Sequence, residues 1–511
     1  MENKKFQRII AYLPAFSFSL TYIIYLYLTS GIAANVSPWQ IARAITFIFL
    51  ILAACSFAAR KLAKDDSRAG LAVWVAAELL LVTQKFFIFS LLISACVILL
   101  WVGVLYLRKN KFQISHISFL LSLLGFCLTI GLLVKSVPWD LYLRRMPKFN
   151  EAPAASLIVP DMPKDIYLIV LDGYVRPDVM KEIYGFDNSG FVNYLLDKNF
   201  IIPKDNYANY SATTLSVGSI LNMQYIQTIM PGAEGLPFGW LMTPVIKNNQ
   251  VKALLEAVGY RSVAIAVDWE LTNIDTADIY LKPLPIQIND YEKLLFQSSP
   301  LKIFSSAVEK LMILKTYPSH RRSIDFAFES LRNVADLGSP KFVFAHIMAP
   351  HPPFVYDKDG QPVQPSYSFS MKDGNEFPGT REQYINGYVG QMQFINRQLE
   401  NVIGSILERS KNPPIIVLLS DHGSRMLTDF LSLENSCIRE SYSNFAAFYL
   451  PDLDSDVVPS DITPVNTFRL IFDQYFGTEL GMLDNQYAFS NYVYQFKDIA
   501  GSLDDKCELS Q

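Results

Sequence analysis

Acidic residues and histidines recur directly after short apolar runs in the second half of this chain. Asp172 ends the run IYLIVLD, Asp421 and His422 follow the run IIVLLS, and the run KFVFAHIMAPH carries His346 and His351. Carboxylate and imidazole groups bind divalent cations and also transfer protons in catalysis. Taken alone, each of these positions is better explained by a polar turn or a buried core histidine. Three strand ends with the same chemistry instead indicate one shared site.

A hydroxyl-rich stretch supplies a second kind of reactive group. Ser211, Thr213 and Thr214 stand at the start of an apolar run with helical spacing, Leu215, Val217, Ile220 and Leu221. An isolated hydroxyl at this place would cap the helix. A helix N-terminus also offers free N–H groups and a positive field to a phosphate or sulfate. Beside a metal, such a hydroxyl can act as a nucleophile.

The elements that must position these residues are predicted to form an α/β domain. Five apolar runs have the length and composition of strands: 166–172, 262–267, 341–348, 415–421 and 444–450. Helical patterns lie between them, the clearest at about 382–409. Strands that alternate with helices predict a mostly parallel sheet, whose ligands bind beyond the carboxyl ends of the strands. We expect this domain to occupy 165–511.

The N-terminal part of the chain has a different composition and accounts for much of the 51 % hydrophobic content. Five apolar segments, each near the length that spans a bilayer, lie at 9–29, 41–58, 69–84, 87–107 and 115–134. They predict a polytopic α-helical membrane domain of about five spans over residues 1–135. The net charge of −4 gives no indication of nucleic-acid binding.

Basic residues predict the orientation of these spans. They lie before the first span, between the second and third, and between the fourth and fifth: Lys4, Lys5, Arg8, Arg60, Lys61, Lys64, Arg68, Arg108, Lys109 and Lys111. The positive-inside rule then puts everything after Lys135 outside the cytoplasm. Residues 136–164, rich in proline, predict a linker with an interfacial helix around PWDLYLRRM. Outside the cell, Cys437 and Cys507 could pair.

The order of these motifs resembles that of the alkaline phosphatase/sulfatase superfamily. An Asp at the first strand end, a Thr at a helix start, a PH-P loop and an SDHG motif occur in that order. Five spans followed by an outer catalytic domain look like the lipoteichoic acid synthases and the lipid A phosphoethanolamine transferases. The resemblance implies an extracytoplasmic sulfatase-like α/β fold with a mostly parallel central sheet.

The resemblance also implies a set of site residues. One divalent cation, zinc or manganese, would be bound by four residues: Asp172, Thr213, Asp421 and His422. Thr213 would also be the nucleophile. His351 matches the histidine that contacts the transferred headgroup, and His346 is a second candidate for that role. Arg176 would suit a phosphate oxygen, or it is a surface arginine.

Some positions depart from the patterns of these families. TTLS stands where sulfatases have C-x-P-S-R, so Ser216 keeps the serine, Val217 replaces the arginine and the cysteine is absent. Sulfate-ester hydrolysis by the formylglycine route is therefore not expected. The transferases usually have Glu at the position of Asp172, and they carry several disulfides.

Together these features imply an enzyme of the cytoplasmic (inner) membrane whose donor is a phospholipid. It would transfer the headgroup phosphate, through a phosphothreonine, to a cell-envelope glycan or lipid. A phosphodiester or sulfate-ester hydrolase of the same superfamily is an alternative, because the motifs do not include the acceptor. A non-catalytic membrane lipid sensor is another. The presence of Asp172, Thr213, Asp421 and His422 argues against a sensor.

Overall fold

The structure is a computed structural model. It describes residues 2–29, 41–62, 66–81, 114–136, 157–158, 162–235, 238–283, 290–299, 316–493, 495–505 and 507. The chain divides into two compact units: Met1–Asp140 with Gln287–Leu314, and Leu141–Ile286 with Lys315–Gln511. We call them the N-terminal unit and the catalytic unit. Most of the predicted linker 136–164, including its interfacial helix, lies outside the described residues.

The α-helices of the described residues are numbered in chain order. They are α1 (Glu2–Thr29), α2 (Ile41–Leu62), α3 (Asp66–Leu81), α4 (Ile114–Ser136), α5 (Pro177–Tyr184), α6 (Ser189–Asp197), α7 (Thr213–Asn222), α8 (Ile226–Ile229), α9 (Thr243–Lys247), α10 (Gln250–Ala257), α11 (Asp290–Ser298), α12 (Tyr317–Asn333), α13 (Arg381–Arg409), α14 (Ile438–Tyr442) and α15 (Thr467–Phe476). The strands are β1 (Ile166–Leu171), β2 (Arg261–Ile265), β3 (Ile279–Leu281), β4 (Lys341–Ile347), β5 (Ile415–Ser420), β6 (Ala446–Tyr449), β7 (Ala488–Phe489) and β8 (Lys497–Asp498).

Two of the described N-terminal helices are long and apolar enough to cross a membrane, over Ile9–Leu28 and Ile41–Leu62. The third expected span overlaps α3, which has only 16 residues. The fifth corresponds to α4, which is apolar over Ser118–Gly131. The fourth, at 87–107, lies outside the described residues. The number of five spans therefore stays a prediction.

Small and hydroxyl residues let the helices of the N-terminal unit pack closely. A Cβ added to Gly70 of α3 would lie 2.1 Å from the carbonyl oxygen of Ala11 in α1, so only glycine fits there. The hydroxyl oxygens of Thr21 in α1 and Thr129 in α4 are 2.9 Å apart. Small residues at contacts and hydrogen bonds between hydroxyl groups are typical of helix association in membranes.

Helix α11 lies in Gln287–Leu314, a segment of the N-terminal unit. The sequence before and after this segment, Leu141–Ile286 and Lys315–Gln511, forms the catalytic unit. The buried Tyr291 donates a hydrogen bond of 2.6 Å to the carbonyl oxygen of Ile23. Arg43 of α2 forms an ion pair with Glu292. The segment Gln287–Leu314, which the sequence predicts as part of 165–511, thus groups with the N-terminal helices.

The catalytic unit is built on a six-stranded sheet with the order β3-β2-β4-β1-β5-β6. Strand β1 is central and pairs in parallel with β4 and β5, whereas β6 is antiparallel to β5. The mostly parallel sheet and its five predicted strands are confirmed, as is the helix predicted at 382–409. Strand β3 was not predicted, because three half-buried residues at a sheet edge leave no clear pattern.

Both faces of the sheet are covered by apolar packing. Alternate residues of β1 point to opposite faces, so Leu168 and Val170 join one core cluster while Tyr167 and Ile169 join the other. Helix α7 lies in the first cluster, and α12 and α13 lie in the second. Burial on both faces explains why these strands read as continuous apolar runs. The core thus holds the strand ends, and with them the polar residues, in fixed positions.

Cys437 and Cys507 form a disulfide across a sequence separation of 70 residues. The sequence left this pairing open. Disulfides persist in oxidising compartments and are rare in the cytosol.

Candidate metal centre and active site

The three central strands bring their polar residues to one edge of the sheet. Leu171 at the end of β1 lies opposite Ile347 of β4 and Ser420 of β5. Because the strands end in register, the residues at or just beyond their carboxyl ends share this edge: Asp172, His346, Asp421 and His422. Each of the four is at most 1 % exposed.

Backbone amides hold the Asp421 carboxylate in place. Its Oδ1 accepts hydrogen bonds from the amides of Gly173 (3.1 Å) and His422 (3.0 Å). Gly173 has φ +71°, a conformation that side chains rarely adopt. A Cβ on Gly423 would lie 2.0 Å from the carbonyl oxygen of Glu440. The glycines of the DG and HG pairs are therefore required by the turns that shape this edge.

Thr213 is the first residue of α7 and points its hydroxyl at the same edge. Its Oγ1 lies 3.1 Å from Nε2 of His422. The N-cap position is occupied by Ala212, which has no side chain that can cap. The capping role that the sequence left open for Thr213 is thus not what its hydroxyl does.

Oxygen and nitrogen atoms of five residues converge here. Nε2 of His346 lies 3.3 Å from Oδ2 of Asp172. Nε2 of His422 lies 3.1 Å from Oδ2 of Asp421 and 3.6 Å from Oδ1 of Asp172. Single ligand atoms of Asp172, His346 and Asp421 all lie within 4.8 Å of one another. Together with Thr213, this is a compact set of five donors, which we call the Asp172 cluster.

The tautomers of the two histidines follow from their other hydrogen bonds. Nδ1 of His422 lies 2.7 Å from the carbonyl oxygen of Gly423, which can only accept, so this nitrogen carries the proton. Nδ1 of His346 lies 2.8 Å from the hydroxyl oxygen of Thr272. Because the Thr272 hydroxyl donates its own proton to the carbonyl oxygen of Trp269, Nδ1 of His346 carries a proton and donates to Thr272. In each neutral ring the lone pair of Nε2 therefore faces the carboxylates.

This arrangement fits a cation. Both oxygens of Asp172, Oδ2 of Asp421 and Nε2 of His346 are buried and accept no hydrogen bond from the described residues. Lone pairs and carboxylate charges that face one another without a donor are unfavourable unless a positive charge lies between them. Mixed Asp and His donors suit zinc or manganese. His346, predicted as a substrate residue, lies among these donors.

Charges around the site set the protonation states. Burial alone would raise the pKa of the Asp172 carboxyl group, but His351, His346 and His422 outweigh it, and the pKa lies well below its usual value. Burial and the charge of Arg425 lower the pKa of His422, against the pull of Asp421 and Asp172. These shifts favour an ionised Asp172 and a neutral His422, which are the forms that bind a cation.

His351 lies next to the Asp172 cluster. Its backbone N–H donates to the carbonyl oxygen of Asp172 at 3.1 Å, and its Nδ1–H donates to the carbonyl of Pro352. Its Nε2 lies 3.7 Å from Oδ2 of Asp373. The imidazole, 5 % exposed, can thus contact a group that approaches the cluster.

Asp373 and Arg425 form a buried ion pair that the sequence did not single out. Nε of Arg425 lies 3.0 Å from Oδ2 of Asp373, and its Nη1 donates to the carbonyl oxygen of Ser211 at 3.1 Å. Burial would raise the pKa of Asp373, but Arg425 and His351 lower it below its usual value. This pair links the loop before Thr213 to the loop after His422. Arg425 lies two residues beyond the SDHG motif, and this closeness is the sequence signal that could have identified it as a residue of the site.

Arg176 is not among the residues that meet at the Asp172 cluster. Its guanidinium pairs with Asp178 at 2.7 Å, donates to the carbonyl of Asn206 at 3.0 Å and lies over the ring of Tyr207. These contacts satisfy the charge locally. Arg176 is buried, so the alternative of a surface arginine is wrong, while its contact with a phosphate oxygen stays a prediction.

The chain is similar to several solved structures, each at low identity. The C-terminal periplasmic domain of EcEptC from Escherichia coli has 11 % identity and a TM-score of 0.45, covering 68 % of this chain and 96 % of that one. The corresponding domain of the phosphoethanolamine transferase EptC from Campylobacter jejuni has 13 % identity and a TM-score of 0.39, covering 62 % and 90 %. The integral membrane lipooligosaccharide phosphoethanolamine transferase A (EptA) from Neisseria meningitidis has 10 % identity and a TM-score of 0.43, covering 92 % and 95 %.

Among curated proteins, no sequence matches this chain. The family model for sulfatases matches residues 164–446, which is more than half of the 511 residues. The matched range contains the whole Asp172 cluster and confirms the predicted resemblance to the superfamily. The chain therefore belongs to the sulfatase family.

Proposed function

We propose that this protein is a membrane phosphotransferase that moves the headgroup phosphate of a phospholipid to a cell-envelope glycan or lipid. The observation that carries the proposal is the position of the Thr213 hydroxyl. It lies at the start of a helix, 3.1 Å from His422 and beside buried carboxylates that lack hydrogen-bond donors. A nucleophile next to a cation site is the arrangement that phosphoryl transfer requires.

In this proposal Asp172, Thr213, Asp421 and His422 would hold the cation, and the position of Nε2 of His346, 3.3 Å from Asp172, supports His346 as a further ligand. A zinc or manganese ion bound there would favour the ionised Thr213 hydroxyl and neutralise charge on the phosphate oxygens. The chain itself supplies the fixed ligand positions. Asp421 is anchored through backbone amides, and the histidine tautomers are set by Gly423 and Thr272.

The reaction proceeds in two displacements at phosphorus. Oγ1 of Thr213 loses its proton to water and attacks the headgroup phosphodiester, and the bond to the diacylglycerol oxygen breaks. That oxygen takes up a proton and leaves as diacylglycerol. The threonine now carries a phosphodiester to the headgroup. A hydroxyl of the acceptor then loses its proton to water and attacks the same phosphorus, the bond to Thr213 breaks, and the threonine oxygen takes up a proton from water.

His351 contacts the headgroup in this proposal, because it lies next to Asp172 with its Nε2 turned toward the neighbouring loop. Arg176 is not given a role, since its charge is satisfied by Asp178. The ion pair between Arg425 and Asp373 helps to position the loop that leads to Thr213, because Arg425 also donates to the carbonyl oxygen of Ser211.

The catalytic unit is proposed to lie outside the cytoplasm, carried by about five membrane spans. The distribution of basic residues and the disulfide between Cys437 and Cys507 support this topology. A protease added to intact spheroplasts should then remove the catalytic unit. Cleavage that occurs only after the membrane is permeabilised would contradict the topology.

The test of the function is mass spectrometry of the purified full-length protein after incubation with phospholipid vesicles and zinc or manganese. A mass added to the peptide that contains Thr213 identifies the headgroup. Thr214→Ala serves as the matched control and should still acquire the mass, whereas Thr213→Ala should not. If the headgroup phosphate is released to water and is not transferred to any envelope glycan or lipid that is added, the protein is a hydrolase of the same superfamily and not a transferase.

A further inference from the structure

Arg425 is held by three contacts that leave part of its guanidinium unused. Nε donates to Oδ2 of Asp373 at 3.0 Å, and Nη1 donates to the carbonyl oxygen of Ser211 at 3.1 Å. The guanidinium carbon lies 5.1 Å from the centre of the Phe430 ring. Among the described residues, none accepts a hydrogen bond from Nη2. The third nitrogen, with its two N–H groups, is therefore fixed in place without an acceptor of its own.

The charge of Asp373 does not depend on Arg425 alone. Oδ1 of Asp373 accepts hydrogen bonds from the hydroxyl of Tyr384 and from the amide of Gly374, both at 2.8 Å. Hydrogen bonds to a carboxylate stabilise its charged form. Arg425 can therefore bind a second anion while its pair with Asp373 stays in place.

Arg425 lies next to both residues that meet the phosphate in the proposed function. On one side, its Nη1 contacts the residue two positions before Thr213. On the other side, Nε of Arg425 and Nε2 of His351 approach the same oxygen, Oδ2 of Asp373, at 3.0 and 3.7 Å. A headgroup phosphate that Thr213 attacks and His351 contacts lies between these two residues. Arg425 therefore borders the space that the phosphate would occupy.

The charge of Arg425 also acts on the Asp172 cluster. Burial would lower the pKa of the guanidinium, but the carboxylates of Asp373, Asp172 and Asp421 raise it above its usual value. Helix α7, with the sequence TTLSVGSILN, contains no lysine or arginine. The helix that carries the nucleophile thus brings no cationic side chain to a phosphate, and the loop after His422 supplies one.

We propose that Arg425 binds a non-bridging oxygen of the transferred phosphodiester through Nη2. The proposal rests on the proposed function, because Thr213 and His351 define where the phosphate lies, and it adds a residue that recognises the donor. Guanidinium N–H groups form strong, charge-assisted hydrogen bonds with phosphate oxygens. Asp373 and Ser211 fix this donor beforehand, so it stabilises the charge on the phosphate oxygens during transfer without rearrangement.

Binding of inorganic phosphate tests this role without turnover. The full-length protein, loaded with zinc or manganese and freed of unbound metal, is titrated with phosphate near neutral pH in a calorimeter. Arg425→Gln removes the charge but keeps an amide donor, and it should bind phosphate about tenfold or more weakly than the wild type. Its metal content should equal that of the wild type. Unchanged phosphate affinity, or a weaker affinity that merely follows a loss of metal, overturns the proposal.

The partner of the ion pair separates phosphate binding from a role in positioning the loop. If Arg425 acted only through Asp373, Asp373→Asn would weaken phosphate binding as much as Arg425→Gln does, and that result overturns the proposal. We expect Asp373→Asn to bind phosphate at least as tightly as the wild type, because a repelling carboxylate is gone and the guanidinium remains.

The double variant, Arg425→Gln with Asp373→Asn, covers the case in which Arg425→Gln alone does not fold. It leaves no unpaired buried charge, which is the costly consequence of removing one partner of a buried pair. The double variant should bind phosphate as weakly as Arg425→Gln. Wild-type affinity in the double variant overturns the proposal.

Arg469 offers a matched control, because it holds the opposite end of helix α7. It donates to the carbonyl oxygens of Met223 at 3.2 Å and of Gly481 at 2.6 Å. Arg469→Gln also removes an arginine that supports the nucleophile helix, and it should leave the phosphate affinity unchanged. A loss equal to that of Arg425→Gln would mean that support of the helix explains both effects, and the proposal falls.

Transfer from phospholipid vesicles shows whether the bound phosphate is that of the donor. In Arg425→Gln, kcat/KM for the lipid should fall by roughly 10²-fold. If phosphate binding is lost and transfer is unchanged, the site holds free phosphate only, and the proposal falls while the function stands. If phosphate binding depends on Arg425 and the wild type forms no adduct on Thr213, the phosphotransfer function fails while the anion site stands.

Discussion

Two buried acids flank strand β1, and the fold treats them in opposite ways. Asp165, before the strand, accepts hydrogen bonds from the amide of Lys341 (3.1 Å) and the hydroxyl of Ser339 (2.9 Å), and it forms an ion pair with the Lys341 ammonium group. The side-chain carboxylate of Asp172, after the strand, accepts none from the described residues. Its oxygens instead face Nε2 of His346 at 3.3 Å and of His422 at 3.6 Å.

The difference separates an acid whose charge is balanced within the fold from one that we propose binds the cation. A buried charge costs several kcal/mol unless an opposite charge and hydrogen bonds compensate it. Lys341, which is fully buried, provides this for Asp165 at the amino edge of the sheet. At the carboxyl edge the chain offers histidines but no lysine or hydrogen-bond donor of this kind to the Asp172 carboxylate among the described residues, an environment that suits a bound cation. The function of this sheet is therefore concentrated where its charges are not balanced internally.

The largest expected effect is at the nucleophile. Thr213→Ala should lower headgroup transfer by roughly 10⁴-fold or more, because no oxygen remains to attack phosphorus. The free energy of unfolding should change by less than about 1 kcal/mol, since the hydroxyl caps no helix. Transfer assays on vesicles and thermal unfolding of the same preparations measure both quantities.

Thr214→Ala is the control for this substitution and should retain most activity, because successive helical residues point in directions about 100° apart. If Thr213→Ala stays active and Thr214→Ala or Ser211→Ala is inactive, the nucleophile is Thr214 or Ser211 and not Thr213. If all three variants transfer the headgroup, a covalent mechanism at α7 is excluded.

The second effect is at the opposite edge of the sheet. Asp165→Asn should lower the free energy of unfolding by about 3–5 kcal/mol, because it leaves the buried charge of Lys341 uncompensated. Urea denaturation followed by circular dichroism measures this loss. Metal content and transfer per folded molecule should stay at the wild-type level. The pair Asp165→Asn with Lys341→Met should regain much of the stability, and a double variant no better than the single one would contradict this account.

The convergence of polar residues at the carboxyl edge of the sheet could largely be predicted, because its sequence signals are local. Asp172, Asp421 and His422 stand directly after apolar runs, and Thr213 stands at a helix start, so each could be placed from its neighbours in the chain. Because β4 and β1 end in register, His346 could be brought near Asp172 but not assigned as a donor. Its role depends on a tautomer that Thr272, 74 residues away, determines.

The residues that escaped prediction are defined by distant partners. Arg425 contacts Asp373 and the carbonyl of Ser211, which are 52 and 214 residues away in the chain. Asp373 lies in a loop without periodicity, so no pattern marks it. Segment Gln287–Leu314 lies within the range predicted for the outer domain, and its composition does not tell which unit it joins. Contacts of this kind arise from packing, which a single sequence does not reveal.

The third effect concerns His346 and pH. If His346 is a ligand, His346→Gln should weaken metal binding by about 10–100-fold, as loss of a supporting histidine does at such sites. His320→Gln is the control, because His320 is also buried but pairs with Asp268 at 2.7 Å. Dialysis against metal buffers followed by elemental analysis measures the affinity. Equal metal content in His346→Gln and wild type would exclude His346 as a ligand.

The same measurement has a predicted pH dependence. Ligands must be deprotonated, so protons compete with the metal as pH falls. Burial and Arg425 lower the pKa of His422, so its imidazole stays neutral at pH values below the usual pKa of histidine. The pKa of the Asp172 carboxyl group is lowered as well. Wild-type protein should therefore hold its metal at neutral pH and lose it only below roughly pH 6. Half-loss above pH 7 would contradict these protonation states.

The smallest expected effect completes the comparison of the two acids. Asp172→Asn in protein stripped of metal by a chelator should lower the free energy of unfolding by much less than Asp165→Asn does, because the Asp172 carboxylate accepts no hydrogen bond and has histidines rather than a lysine beside it. Asp165→Asn, under the same conditions, should remain destabilised by several times that amount. With metal present, Asp172→Asn should lose the stabilisation that the bound ion gives the wild type, since ligand binding to the folded state alone raises stability. Urea denaturation of the four samples, with and without chelator, tests this directly. A large loss for Asp172→Asn in chelator would mean that the chain itself compensates Asp172, and the distinction between the two edges of the sheet would then fall.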